Sequence, residues 1–253
     1  MSIATSPNTQ RTTLAERLDL IISPLFAVAL SLIGVAVWFY SDLDKTTLSI
    51  LDPEKLQREL VETISLGLAS SALVILIAVP IGILVTRKGF PRLKSFLVNT
   101  LGLGQSLPVY GLIVIFFSWL GAGAFTVLVA LATYSLLPVL RNTIVGLEQV
   151  DRSVIDAARG MGLTARQILT KIELPLSVVV ILAGIRTAVV INVGFAALAF
   201  LVGGGGLGVT INSGLVNNRD SAVLIGAVMI AVLALAFDFL SALAQKYMKP
   251  KGL

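Results

Sequence analysis

Two charged side chains, Arg186 and Asp238, lie within long apolar runs. A charge near the centre of such a run costs at least about 2.5–3.5 kcal/mol when it faces lipid, so both should face protein or water. Arg186 stands about 16 Å beyond Pro175 at helical rise, and Asp238 about 12 Å before Lys246. If the two runs cross in opposite directions, the charges share a depth and can pair or join one polar network. The alternative is that each snorkels or meets backbone carbonyls separately. Other reactive chemistry is scarce. Cysteine and histidine are absent, which removes thiolate metal sites, disulfides and imidazole bases. No acids cluster inside the apolar runs. No P-loop pattern occurs, so any ATP that drives this chain acts through another one. No catalytic residue is assigned, and the chain is not expected to be an enzyme.

The elements that must position these charges are membrane spans. Of 253 residues, 56% are hydrophobic and 13% charged, and the mean hydropathy is +0.95. Soluble domains are about a quarter charged, so the bilayer is the expected solvent. A spanning helix needs about 20 mostly apolar residues. Six candidates run over 21–40, 63–86, 96–120, 124–140, 175–202 and 221–245, the fourth short enough that an extension past Arg141 is expected. The fold class is therefore an all-α polytopic membrane protein. Arg11, Arg17, Arg87, Lys88, Arg92, Lys94, Arg141, Arg152, Arg159, Arg166, Lys171, Lys246, Lys249 and Lys251 fall on the side of the termini, against Lys45, Lys55, Arg58 and Arg219 on the other. That bias places both termini in the cytoplasm. The net charge of +5 then serves orientation, and no aromatic-laced basic patch suggests nucleic acid. Trp38, Phe39 and Tyr40 anchor an uncleaved first helix at the far interface. The stretch 41–62, with Asp52-Pro53, is expected to hold a short surface helix.

Between Arg141 and Glu173 the apolar run stops. Ser153 and Asp156 have capping spacing for a short helix reaching Met161, Gly162 supplies a turn, and Thr164 with Gln167 forms a capping box. Ile168, Leu169 and Ile172 give the second helix an apolar side, and Pro175 ends it while suiting the first turn of the next span. One reading is an amphipathic helix on the inner leaflet. The other is a handle gripped by a second protein, for which Ala157, Ala158 and Gly160 allow close approach.

Other polar features leave alternatives open. Gly203, Gly204, Gly205, Gly206 and Gly208 cannot be a comfortable helix interior. They form either a flexible outer loop or a close-packed turn at an external gate. Gly102, Gly104, Gln105, Ser106 and Pro108 interrupt the third run, either lining a pathway or kinking a helix. Asn192 is ambiguous in the same way. Tyr110, Trp119 and Tyr134 are scattered, so no aromatic cage for a quaternary ammonium group is legible.

Asp156-Ala157-Ala158, Gly162, Ile172 and Leu174-Pro175 match the spacing of the signature of ABC-importer permeases, with Asp where Glu is usual. The runs 137–143, 184–188 and 200–208 resemble the glycine betaine/carnitine/choline osmoprotectant branch. The resemblance covers roughly residues 62–245. It implies a type I importer (MetI-like) fold, with an arm and first helix over 1–61, a transmembrane domain over 62–245 and a tail over 246–253. It also implies a coupling segment over 151–173 gripped by a cytoplasmic ATPase dimer that binds ATP and Mg²⁺. A second permease subunit, copy or paralogue, and an extracytoplasmic solute-binding protein complete the expected assembly. The implied setting is a bacterial or archaeal plasma membrane, and the implied solute is glycine betaine or another quaternary amine. Methionine or another amino acid is the rival solute. An ion-coupled secondary transporter is the rival class; it would favour inverted repeats, and none is visible. The resemblance also favours the gate reading of the glycine run.

Overall fold

The computed structural model describes residues 7–41, 43–87 and 91–248, with side chains from Ile21 onward. Lys88, Lys249 and Lys251, and the tail beyond Met248, lie outside the described residues. The elements are α1 (Pro7–Tyr40), α2 (Lys45–Ile50), α3 (Pro53–Val85), α4 (Pro91–Gln105), α5 (Val109–Leu120), α6 (Ala124–Glu148), α7 (Arg152–Gly160), α8 (Ala165–Ile168), α9 (Leu174–Phe195), α10 (Gly208–Val216) and α11 (Asp220–Met248). A π turn (Leu169–Glu173) joins α8 to α9, and a 3₁₀ segment (Ala196–Val202) follows α9. Among the described residues, five stretches are long and apolar enough to cross a membrane, and the bent pair α4–α5 makes a sixth if it counts as one span.

The heart of the molecule is α3, α6 and α9. Near the handle end Val74, Ala78 and Val85 of α3 pack on Val139, Leu140 and Ile144 of α6 and Ala188 of α9. At the opposite end Leu66, Val127, Leu131, Ala196, Ala199 and Val202 close a second core with Val109 and Ile113 of α5. Backbones approach closely here. A Cβ on Gly184 would stand 2.8 Å from the Pro138 carbonyl oxygen, closer than side chains tolerate, so α6 and α9 need glycine there. Helix α1 lies outside this core along α11. Ser23, Ala27, Leu30, Gly34 and Val37 face inward at alternating four- and three-residue steps, while most of α1 is exposed. Such spacing is the seam of a helix pair.

The structure specifies some expectations and corrects others. The interruption expected in the third run is a sharp bend: α4 and α5 meet at 101°. Pro108 precedes α5 as its N-cap residue and cannot continue α4, and the Gln105 amide nitrogen donates to the Tyr134 carbonyl at 3.1 Å. The fourth run continues past Arg141 to Glu148. The fifth ends as α-helix at Phe195. The expected surface helix is α2, while α3 starts at Pro53, well before the apolar run, with Asp52 accepting from the N–H groups of Glu54 and Lys55. Pro175 does not end the coupling helix. It has no N–H to give the Lys171 carbonyl, and a widened π turn absorbs the missing bond, so chain 165–202 runs on as one rod.

Candidate functional site

The handle is α7, the turn at Gly162, and α8. Its capping differs from the expectation in one respect. Asp151, not Ser153, caps α7, accepting from the Ser153 N–H at 2.8 Å. That bond holds the Asp151 carboxyl below the usual carboxylate range. Asp156 instead reaches forward to Arg159 at 2.9 Å, and α7 stops at Gly160, with Met161 as its C-cap residue. Gly162 has φ +81°, a left-handed turn that lets the Leu163 N–H return to the Ala158 carbonyl at 3.1 Å. The capping box of Thr164 and Gln167 is present. Ala158 points inward, whereas Asp156, Ala157 and Gly160 are exposed, as are Val154 and Met161. Ile172, Leu174 and Pro175 are half-buried where the handle enters α9.

One ion pair fastens this unit to the helices behind it. Arg87, at the end of α3, donates to the buried Glu173 carboxylate at 2.8 Å. Ser177 then bridges the carbonyls of Glu173 and Gly146, at 2.6 and 2.8 Å, tying the start of α9 to the end of α6. Alongside, Lys94 of α4 pairs with Glu148 at 2.5 Å.

Arg186 and Asp238 meet. The guanidinium donates twice to the carboxylate, from Nε at 2.6 Å and Nη2 at 2.7 Å. This two-pronged geometry is the strongest an arginine and a carboxylate can form. Ser23 of α1 adds a hydroxyl donor to Asp238 at 2.6 Å. Three helices, α1, α9 and α11, therefore converge on one partly buried charge pair.

Asn192 is fully buried, between α3, α6 and α9. With the amide turned to match its neighbours, the nitrogen donates to the Leu131 carbonyl and Ser135 at 3.1 and 2.9 Å, while the oxygen accepts from Ser71 at 3.1 Å. The residue is a packing knot rather than part of an open wall, because leaving it unbonded there would cost about 1–3 kcal/mol. Ser106 is exposed at the α4–α5 bend and bonds back to Gly102, and Gln105 braces the bend on α6.

The glycine run is a close-packed turn. Gly203, Gly205 and Gly206 have φ of +71°, +78° and +84°. A Cβ on Gly205 would overlap the Glu62 carboxylate. The Gly206 N–H donates to Glu62 at 2.8 Å, and the Leu207 N–H to Thr63 at 2.9 Å. Just beyond, the Thr210 hydroxyl donates to Glu59 at 2.6 Å. Glu59, Glu62 and Thr63 share one face at the start of α3. In sequence, Glu59 and Glu62 fall in the 41–62 stretch expected to hold a surface helix, and Thr63 at the edge of a span. Their three- and four-residue spacing was the available signal.

α3 thus touches the glycine turn, the Asn192 knot and the handle, but not the charge pair. It holds the glycine turn at its first turns, the Asn192 knot through Ser71 at its middle, and the handle through Arg87 just past its end. α9 joins the same places covalently and carries Arg186 between them.

Residues 78–251 match the family model described as "Binding-protein-dependent transport system inner membrane component". The carnitine transport permease protein OpuCB of Listeria monocytogenes is 37% identical over 188 residues, covering 74% of this chain and 85% of the relative. The glycine betaine/carnitine/choline transport system permease protein OpuCB of Bacillus subtilis is 37% identical over 194 residues, covering 76% and 88%. In fold, the chain resembles a solved chain of the inward-facing MetNI methionine ABC transporter, with a TM-score of 0.68 at 24% identity, over 78% of this chain and 97% of that one. The handle, α6, α9 and the glycine turn all lie within residues 78–251, and the chain belongs to the family of binding-protein-dependent transport system inner membrane components.

Proposed function

We propose that this chain forms one wall of the translocation pathway of an ATP-driven importer for a small osmoprotectant such as glycine betaine, carnitine or choline. The observation that carries the reading is the handle. It is an exposed, self-capped pair of short helices, continuous with a core helix through the π turn and fixed to α3 by Arg87–Glu173. A rigid knob on a rigid stem is what a moving partner needs in order to push a membrane domain. The partner is a cytoplasmic ATPase dimer that binds ATP and Mg²⁺. A second permease subunit, copy or paralogue, supplies the other wall, and an extracytoplasmic binding protein delivers the solute. Both termini are cytoplasmic, and the membrane is a bacterial or archaeal plasma membrane. Asp156, Ala157, Gly160 and Met161 form the gripped surface. The 203–206 turn, latched by Glu62 with Thr63 and Glu59 holding Leu207 and Thr210 just beyond it, is the opposite gate. The names of the relatives support the solute class.

The test is reconstitution of the complete complex in liposomes. ATP hydrolysis stimulated by binding protein loaded with glycine betaine, carnitine or choline, with matching uptake, supports the reading. Stimulation by methionine alone contradicts the solute. Uptake by this chain by itself, driven by an ion gradient, contradicts the mechanism.

A further inference from the structure

Two concavities lie one above the other along the contact between α1 and α11. The deeper one is an apolar groove of about 310 Å³ between Gly34, Val35 and Trp38 of α1 and Ile225, Val228 and Val232 of α11. Above it, at the end of both helices away from the handle, is a polar cup of about 490 Å³. The cup is lined by Ser41, Asp44 and Thr47 on one side and Asn218, Arg219, Asp220 and Ser221 on the other. Helical register aligns the two. Ser41 follows Trp38 by three residues, and Ser221 precedes Ile225 by four, so each continues the stripe that lines the groove below.

The groove belongs to helices whose apolar stretches are almost wholly uncovered, with 6% of each buried. Trp38 and Tyr40 mark the level at which the apolar band ends, as interfacial aromatic residues do. The cup at that level carries both signs of charge. Arg219 donates from one terminal nitrogen to Asp44 at 2.7 Å and from the other to the Asn218 carbonyl at 3.4 Å, and its Nε is buried without an acceptor. The side chain is 37% exposed, and each terminal nitrogen keeps a second N–H with capacity for an anionic group such as phosphate. Asp220 beside it is exposed, and no bond of its carboxylate to a basic residue is present among the described residues.

The geometry points to a binding site for one zwitterionic phospholipid of the leaflet opposite the handle. Its phosphate sits on Arg219, its ammonium on Asp220, and one acyl chain fills the groove between α1 and α11. A wholly apolar occupant would leave the cup unused, and a small polar solute would leave the groove unused.

Native mass spectrometry of the complex, released from nanodiscs made of phosphatidylethanolamine and phosphatidylglycerol, tests this. Two variants divide the site. Arg219→Gln removes the phosphate partner, and Val35→Trp fills the groove without touching the ion pair. The wild type should retain one phosphatidylethanolamine per copy of this chain, in preference to phosphatidylglycerol. Each variant should lower retention about tenfold, the change expected for losing one charge-assisted contact or a comparable apolar one. Equal retention in both variants and the wild type would overturn the assignment, as would retention indifferent to headgroup. So would crosslinking from Val35→Cys that captures a second copy of this chain in place of lipid.

Discussion

In the handle, Asp156 bonds to Arg159 three residues away and Thr164 to Gln167 three residues away. In the glycine turn, Gly206, Leu207 and Thr210 bond to Glu62, Thr63 and Glu59, separated from them by 144, 144 and 151 positions. The handle keeps its shape with local bonds and is fixed to the rest through few contacts, chiefly Arg87–Glu173. The turn has local backbone bonds as well, from Gly203 and Gly204 to the Phe200 and Ala199 carbonyls, but the side chains that hold it all stand on α3. A part built the first way can be moved as a unit without losing its form. A part built the second way changes whenever the helix that holds it shifts. The same helix serves both, so displacement at the handle has a direct route to the turn.

The largest effect should come from the charge pair that lies on the stem between the two regions. Asp238→Ala leaves Arg186 without its two-pronged partner inside the membrane. A penalty of about 2.5–3.5 kcal/mol is expected, read as loss of folded protein in the membrane or of uptake in whole cells. Asp238→Glu should recover part of it. Unchanged uptake in Asp238→Ala would remove the pair from the account.

Next is Gly205→Leu. A left-handed backbone costs a side chain about 1–2 kcal/mol, and the overlap with Glu62 adds to it. Uptake should fall more than the complex's thermal stability, because the damage is confined to the turn. Normal uptake would mean the turn is not a gate. Glu173→Ala should come third. It frees the partly exposed Arg87, so the loss in stability is only about 1 kcal/mol. ATP hydrolysis should persist while uptake per ATP drops, which separates a broken joint from a broken engine.

The smallest effects are within the handle. Thr164→Ala removes half the capping box and should cost about 1 kcal/mol of local helix stability, measured as faster hydrogen exchange over 164–170. Acidification should loosen α7 in the same assay. The Asp151 carboxyl is held below the usual range by its bond from Ser153. A depressed folded value means the contribution is complete at neutral pH and disappears as pH falls through that value. Asp151→Asn should flatten the profile.

The handle was largely legible because its signals are local: Gly162, Thr164 with Gln167, and Pro175 each act within a few residues. Even there, Asp151 outcompeted Ser153 for the cap, and a π turn let the helix run through Pro175. The Arg186–Asp238 pairing was legible as one of two readings, because depth in an apolar run is a one-dimensional quantity that two helices share. The bend between α4 and α5 was visible as an interruption, but its 101° angle was not, since it depends on Gln105 finding α6. The latch was missed entirely. Glu59, Glu62 and Thr63 look like the wet end of a helix until α10 folds onto them. The docking of α1 through Ser23 was missed for the same reason: a serine in an apolar helix says nothing about which acid it will meet.

The most direct test uses the absence of cysteine in the chain. Spin labels at Leu215→Cys and Phe125→Cys, both exposed on elements flanking the glycine turn, report its width in the assembled complex. Trapping ATP should change that distance in the wild-type background and leave it unchanged when Glu173→Ala cuts the joint. A change of equal size in both backgrounds, or none in either, would contradict transmission from the handle to the turn.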